Sequence, residues 1–92
     1  MTNVKDFSFG QNKTITVIIM DSDSSNKITY SLHKYLGLWL VLEDYCSSLN
    51  VGRYQIRFVD ENDITIDGAL SPSQCVYKRN TIIIKARKFE EY

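Results

Sequence analysis

Apolar positions recur along this chain with two different periods, and each marks its own kind of element. Over residues 31–49, SLHKYLGLWLVLEDYCSSL, they return every three to four residues. That is the spacing of one helix face at about 100° per residue. Leu38, Leu42, Tyr45 and Leu49 fall on one face, with Val41 and Cys46 beside it, while Glu43, Asp44, Ser47 and Ser48 fall away. The pattern predicts a helix with one buried stripe. Ser31 and His33 are candidate caps, Gly37 weakens the first turn, and Asn50 with Gly52 ends the helix. Leu36 and Leu40, an i,i+4 pair with Trp39 at its edge, point roughly opposite the stripe. A helix apolar on two faces is either sandwiched or presents one face to a partner.

Elsewhere the period is two, the spacing of a strand. In residues 14–20 Ile15, Val17 and Ile19 alternate with Thr14, Thr16 and Ile18, and in residues 27–32 Ile28, Tyr30 and Leu32 alternate with Thr29 and Ser31. The turn-forming run DSDSSN between them makes the pair a hairpin. A third strand is expected over 53–59 with Tyr54, Ile56 and Phe58 in register, and a short fourth over 64–66. Ser71, Pro72 and Gln74 carry the start signals of a helical turn whose buried side would be Cys75 and Val76. Residues 81–87, TIIIKAR, read as a central strand buried on both faces. Residues 1–12 show no period and are expected to be a flexible arm that Phe7 or Phe9 could anchor, and residues 89–92 a frayed tail. The domain proper is then 13–88. One helix on a mixed sheet of four to five strands is an α+β domain. Its first and last strands look most buried, so they should pair in parallel at the centre, the β-grasp arrangement of ubiquitin.

Composition narrows the functional classes. Ninety-two residues make one small domain, and 11 basic against 11 acidic side chains leave no net charge. Nucleic-acid binding through phosphate neutralisation is therefore not expected. No apolar run is long enough to span a membrane, and the polar start MTNVKDFSFG lacks the apolar region of a secretory signal. The two cysteines are accordingly expected to be thiols, in the nucleus or cytoplasm. Catalysis needs a constellation that the chain does not suggest. His33 is the single histidine, Cys46 and Cys75 are isolated, and the glycines are scattered. The turn 21–26, with acids at alternate positions, lacks the glycine and glutamate of a calcium loop. Neither enzyme activity, metal nor cofactor is expected.

Three stretches carry a family resemblance. They are Leu38-x-x-Val41-x-x-x-Tyr45-Cys46, Tyr54-Gln55-Ile56-Arg57-Phe58, and Ser71-Pro72-Ser73-Gln74-Cys75, followed by the apolar strand at 81–85. In order and spacing, over residues 13–85, the chain resembles the SUMO branch of ubiquitin-like proteins. The resemblance implies a β-grasp fold. Conjugated modifiers of that kind carry a Gly-Gly pair after the last strand, whereas here the sequence runs KARKFEEY. The expected relative is therefore a non-conjugated SUMO-like domain that acts by docking. SUMO proteins take partner peptides by strand addition in a groove between the second strand and the helix. That groove would fall on Tyr30, Leu32, Val41 and Tyr45, with Ser31, His33 and Ser48 on a rim where the family has lysine and arginine. The family's contacts with its conjugating enzyme would fall on Asp60 and Glu61, and on 77–80, which is basic here.

The expected function is a non-catalytic protein-interaction module. Its partner would be a protein, of the SUMO or ubiquitin pathway, engaged through Leu36, Trp39 and Leu40 or through the groove of Tyr30, Leu32, Val41 and Tyr45. An exposed Trp flanked by Leu is hot-spot composition. The alternative is a structural subunit whose apolar helix face is buried in a homodimer or larger complex, or a face covered by Phe7 or Phe9 of the chain's own N-terminus.

Overall fold

A computed structural model describes residues 4–10, 12–75 and 79–89. Five strands, β1 (Val4–Phe7), β2 (Thr14–Asp21), β3 (Lys27–His33), β4 (Ile56–Val59) and β5 (Thr81–Lys88), form one sheet in the order β1-β3-β2-β5-β4. Among the described residues a single α-helix, α1 (Trp39–Ser48), covers one face. β2 and β3 are the expected antiparallel hairpin, and β2 and β5 the expected parallel central pair. β4 runs antiparallel to β5, and β1 runs parallel to β3.

The core follows the alternation in the sequence. Ile15, Val17 and Ile19 of β2, Tyr30 and Leu32 of β3, and Ile82, Ile84 and Ala86 of β5 turn inward. They meet Leu38, Val41, Leu42, Tyr45 and Cys46 from the helix and Ile56 and Phe58 from β4. Each fully buried aliphatic side chain here contributes on the order of 1.5–3 kcal/mol. The β2–β3 turn is closed by its own polar groups: Asp21 N–H donates to Asn26 O (3.0 Å), and Asp23 N–H to Asp21 Oδ1 (2.8 Å).

The helix is shorter than the periodicity implies. Residues 31–33 belong to β3, because Tyr30, Ser31 and Leu32 pair with Val17, Thr16 and Ile15. Long-range pairing overrides the local period there, and Ser31 and His33 cap nothing in α1. The free N–H groups at the helix start are satisfied by a loop instead. Leu38 N–H donates to Leu70 O (2.9 Å) and Trp39 N–H to Gly68 O (2.9 Å). At the other end Asn50 takes the left-handed conformation (φ 57°), and Val51 N–H returns to Cys46 O (3.0 Å). With Asn50 N–H on Ser47 O this is a Schellman closure built on asparagine. Leu49, expected in the core stripe, lies past the last helical residue and is exposed.

Other departures have local causes. Arg53–Gln55 is a 3-10 turn rather than strand. Gln55 Oε1 accepts from Gly52 N–H (2.6 Å), which turns Tyr54 out to 81% exposure. The expected fourth strand is reduced to one bridge, Val59 to Thr65, because Asp60 Oδ1 accepts from both Asn62 and Ile64 N–H and curls the chain back. The Ser71 turn forms as expected over Pro72–Gln74, with Gln74 Oε1 accepting from Ser71 N–H (2.9 Å). Cys75 is half-buried, and Val76, Tyr77 and Lys78 lie outside the described residues. The N-terminal stretch is not a free arm in its described part, since Val4–Phe7 adds a fifth strand to the β3 edge. Four residues are too few for a period to register by themselves. Phe89 N–H bonds Gln55 O (3.2 Å), and residues 90–92 lie outside the described residues.

Candidate protein-docking surfaces

The β3 edge is where the sequence places a peptide groove, and β1 occupies it. Val4, Lys5, Asp6 and Phe7 align in parallel with Thr29, Tyr30, Ser31 and Leu32. Successive strand residues face opposite sides, so Lys5 and Phe7 share the helix side of the sheet. Lys5 Nζ donates to Asp44 Oδ2 (2.8 Å) and to Ser48 Oγ (2.8 Å). The same Asp44 oxygen accepts from Tyr30 OH (2.9 Å), and Ser48 Oγ donates to Asp44 O (2.8 Å). Asp44 thus ties the helix to β3 and to β1 at once. Phe7 packs its ring 5.8 Å from that of Tyr30.

Helix geometry extends this arrangement. Leu40, Asp44 and Ser48 follow one line at i, i+4 and i+8, and two of the three touch Lys5. Two strand residues and four helix residues both advance about 6–7 Å. Phe7 is therefore placed toward Leu40, which is half-buried against the core. Tyr30, Leu32, Val41 and Tyr45 are at most 2% exposed with β1 in place. As the chain is folded they are core residues rather than an open groove, because β1 and the helix close over them. Burial pushes the Tyr30 phenol far above its ordinary value, and the Asp44 hydrogen bond adds to it. Burial likewise raises Tyr45.

The helix head offers a different surface. Trp39 is 48% exposed, with Tyr35 also outside and Leu36 half-buried. The indole lies across bare backbone: a Cβ on Gly37 would stand 2.5 Å from Trp39 Cδ1, and one on Gly68 would stand 3.3 Å from Trp39 Cβ. Gly37 therefore makes the seat for the ring, and Gly68 lies against the start of the helix at Trp39 Cα and Cβ. Leu36, Trp39 and Leu40 do not form one continuous exposed face, since Leu40 lies on the Asp44 line toward β1.

Little in the described residues points to chemistry. His33 Nδ1 accepts from Tyr35 N–H (3.1 Å), a local turn contact. Burial raises the thiol pKa of both Cys46 and Cys75, which makes them poor nucleophiles at neutral pH. Among the described residues no group of three His, Cys, Asp or Glu could hold a metal ion, and no helix is long and apolar enough to cross a membrane. Of the positions matched to the conjugating-enzyme contact, Asp60 is engaged in its own turn and Glu61 is exposed. Tyr77 and Lys78 lie outside the described residues.

Sequence reasoning missed Lys5 and Asp44. A signal for the first was present in the alternation Lys5-x-Phe7-x-Phe9, and for the second in the Leu40, Asp44, Ser48 line. Nothing local joins two residues 39 positions apart.

A parallel central strand pair, a flanking hairpin and one helix across the sheet define a ubiquitin-like β-grasp fold. Among solved structures, a ubiquitin of Caldiarchaeum subterraneum superimposes with a TM-score of 0.70 at 6% identity, over 85% of this chain and 96% of that one. A structure described as "Molecular Mimicry of SUMO promotes DNA repair" superimposes with a TM-score of 0.62 at 16% identity, over 83% of this chain and 92% of that one. The fold thus has SUMO-like as well as ubiquitin relatives. No family model and no curated protein matches the sequence.

Proposed function

We propose that the chain is a non-catalytic ubiquitin-like module that works by docking another protein, not by becoming conjugated to one. The observation that carries this reading is Trp39, a half-exposed indole held across Gly37 at the head of the helix. A large aromatic side chain fixed in place on a rigid element is what an interaction hot spot requires. Leu36 flanks it, and Leu40 lies one residue on. The resemblance to SUMO mimicry supports a protein partner of the SUMO or ubiquitin pathway. Non-conjugation is supported by the run Phe89-Glu90-Glu91-Tyr92 directly after β5, where the conjugated modifiers that the sequence resembles carry Gly-Gly.

A second reading, a subunit of a homodimer, is favoured by the same half-exposed Trp39. Sedimentation equilibrium across a range of concentrations separates the two. A monomer throughout supports the docking module. A dimer that Trp39→Ala dissolves, with circular dichroism unchanged, supports the subunit. Incubation with the SUMO-activating enzyme and ATP tests conjugation. No thioester is expected, and efficient charging would overturn that part of the reading.

A further inference from the structure

We propose that β1 is a self-supplied occupant of the β3 edge, and that this edge, once vacated, takes an extended protein segment carrying Lys or Arg two residues before an aromatic side chain. The proposal goes beyond the docking function argued from Trp39 and concerns a different surface. Three observations carry it. β1 joins the sheet by a parallel ladder to β3 alone, as an added strand does. None of its four side chains is fully buried, whereas β3 buries two and β2, β4 and β5 bury three each. Its exit is a left-handed pair, Phe9 (φ 52°) and Gly10 (φ 78°), which turns the chain sharply just beyond the strand.

The chemistry of the seat sets the ligand class. Asp44 is the charged group that meets β1 on the helix side, with Ser48 beside it, and both accept from Lys5 Nζ. An acidic residue there would face the Asp44 carboxylate at the same short distance and be repelled. The resemblance implies a basic rim that attracts acidic peptides, and this seat has the opposite sign. Two residues further on, the Tyr30 ring receives an aromatic side chain, as it does Phe7. A segment bound in trans must compete with β1, so its apparent affinity is reduced by the fraction of chains in which the edge is open.

The experiment uses the full chain and a fluorescein-labelled probe, the peptide Val-Lys-Asp-Phe-Ser-Phe that copies residues 4–9. The host is Lys5→Glu with Phe7→Ala, which removes both side-chain anchors of β1. Fluorescence anisotropy should show one probe bound per chain, at least tenfold more tightly than to the wild-type chain. A probe with its lysine replaced by glutamate should bind at least tenfold more weakly than the parent probe. A second host, Phe7→Ala with Asp44→Lys, should reverse that preference while Trp39→Ala leaves it unchanged, so failure here is distinct from failure of the Trp39 surface. A folded first host that binds no better than wild type, or binds both probes alike, would show that β1 merely completes the sheet. Failure of that host to fold would show the same. A wild-type dimer dissolved by Phe7→Ala would make the occupant a second copy's β1 and overturn the proposal as well.

Discussion

β4 and β1 are each four residues long, and each closes one edge of the sheet. β4 buries Ile56, Phe58 and Val59, and Phe58 meets Tyr45 edge-on at 5.8 Å with the Arg53 guanidinium 4.8 Å above its ring. Its outer side is covered by the chain that follows, through Ile66 N–H to Phe58 O (2.8 Å) and the Val59–Thr65 bridge. β1 contributes a backbone ladder, one ion pair and one half-buried ring. An edge strand that supplies core cannot leave without unfolding the domain. One that supplies almost none can open locally while the rest persists. Both solutions protect an edge from unwanted pairing, but β1 alone does so with a segment that can be exchanged.

The sharpest way to break this comparison is to remove one ring from each edge. Phe58→Ala should cost about 3–5 kcal/mol of stability in urea unfolding, a large share of what a small domain has. Phe7→Ala should cost about 1–2 kcal/mol, because its ring is only half-buried. Equal losses would erase the distinction between the edges.

Alkaline unfolding probes the floor beneath β1. Tyr30 and Tyr45 have pKa values raised in the folded chain, so the neutral phenols favour folding. Their contribution is fully present below pH 10, the ordinary tyrosine value, and declines above it as the unfolded chain loses protons that the folded chain retains. The decline is at most about 1.4 kcal/mol per pH unit for each group, and Tyr30→Phe should flatten it. An unchanged slope would mean that Tyr30 is not held neutral.

Asp44→Asn removes the charge that meets Lys5 and leaves an acceptor for Tyr30. The expected loss is about 0.2–1 kcal/mol, together with a weaker dependence of stability on salt. A loss above about 2 kcal/mol would place Asp44 in the core energetics rather than at the β1 anchor. The smallest effect is expected at Gly37→Ala. The new Cβ should swing the Trp39 ring off its seat, shifting its fluorescence to longer wavelength with less than about 1 kcal/mol of stability change.

Most of the fold was legible in the sequence because burial wrote it there. Ile15, Val17, Ile19 and the Ile82–Ile84 run announce the central pair, and Leu38, Leu42 and Tyr45 announce the helix. Two errors share a cause. At 31–33 a helical period extended into residues that a partner strand had claimed, and at 4–7 the signal was too short and too exposed to stand out. Pairing partners are not visible in a local window. The candidate surfaces were legible in part. Trp39 was conspicuous as an apolar residue outside the stripe, and it is exposed. Leu40, by contrast, is half-buried against the core, and Tyr30, Leu32, Val41 and Tyr45 are sealed within it. The Lys5–Asp44 pair joins a strand to a helix across 39 residues, and only the folded chain brings it together.

Amide hydrogen exchange of the full chain is the most direct test of whether the two edges differ. The account predicts that the amides of β1 exchange through local opening, far faster than those of β4, whose protection should track global unfolding. Exchange of both strands at one common rate, with the same denaturant dependence, would contradict it and make β1 an inseparable part of the sheet.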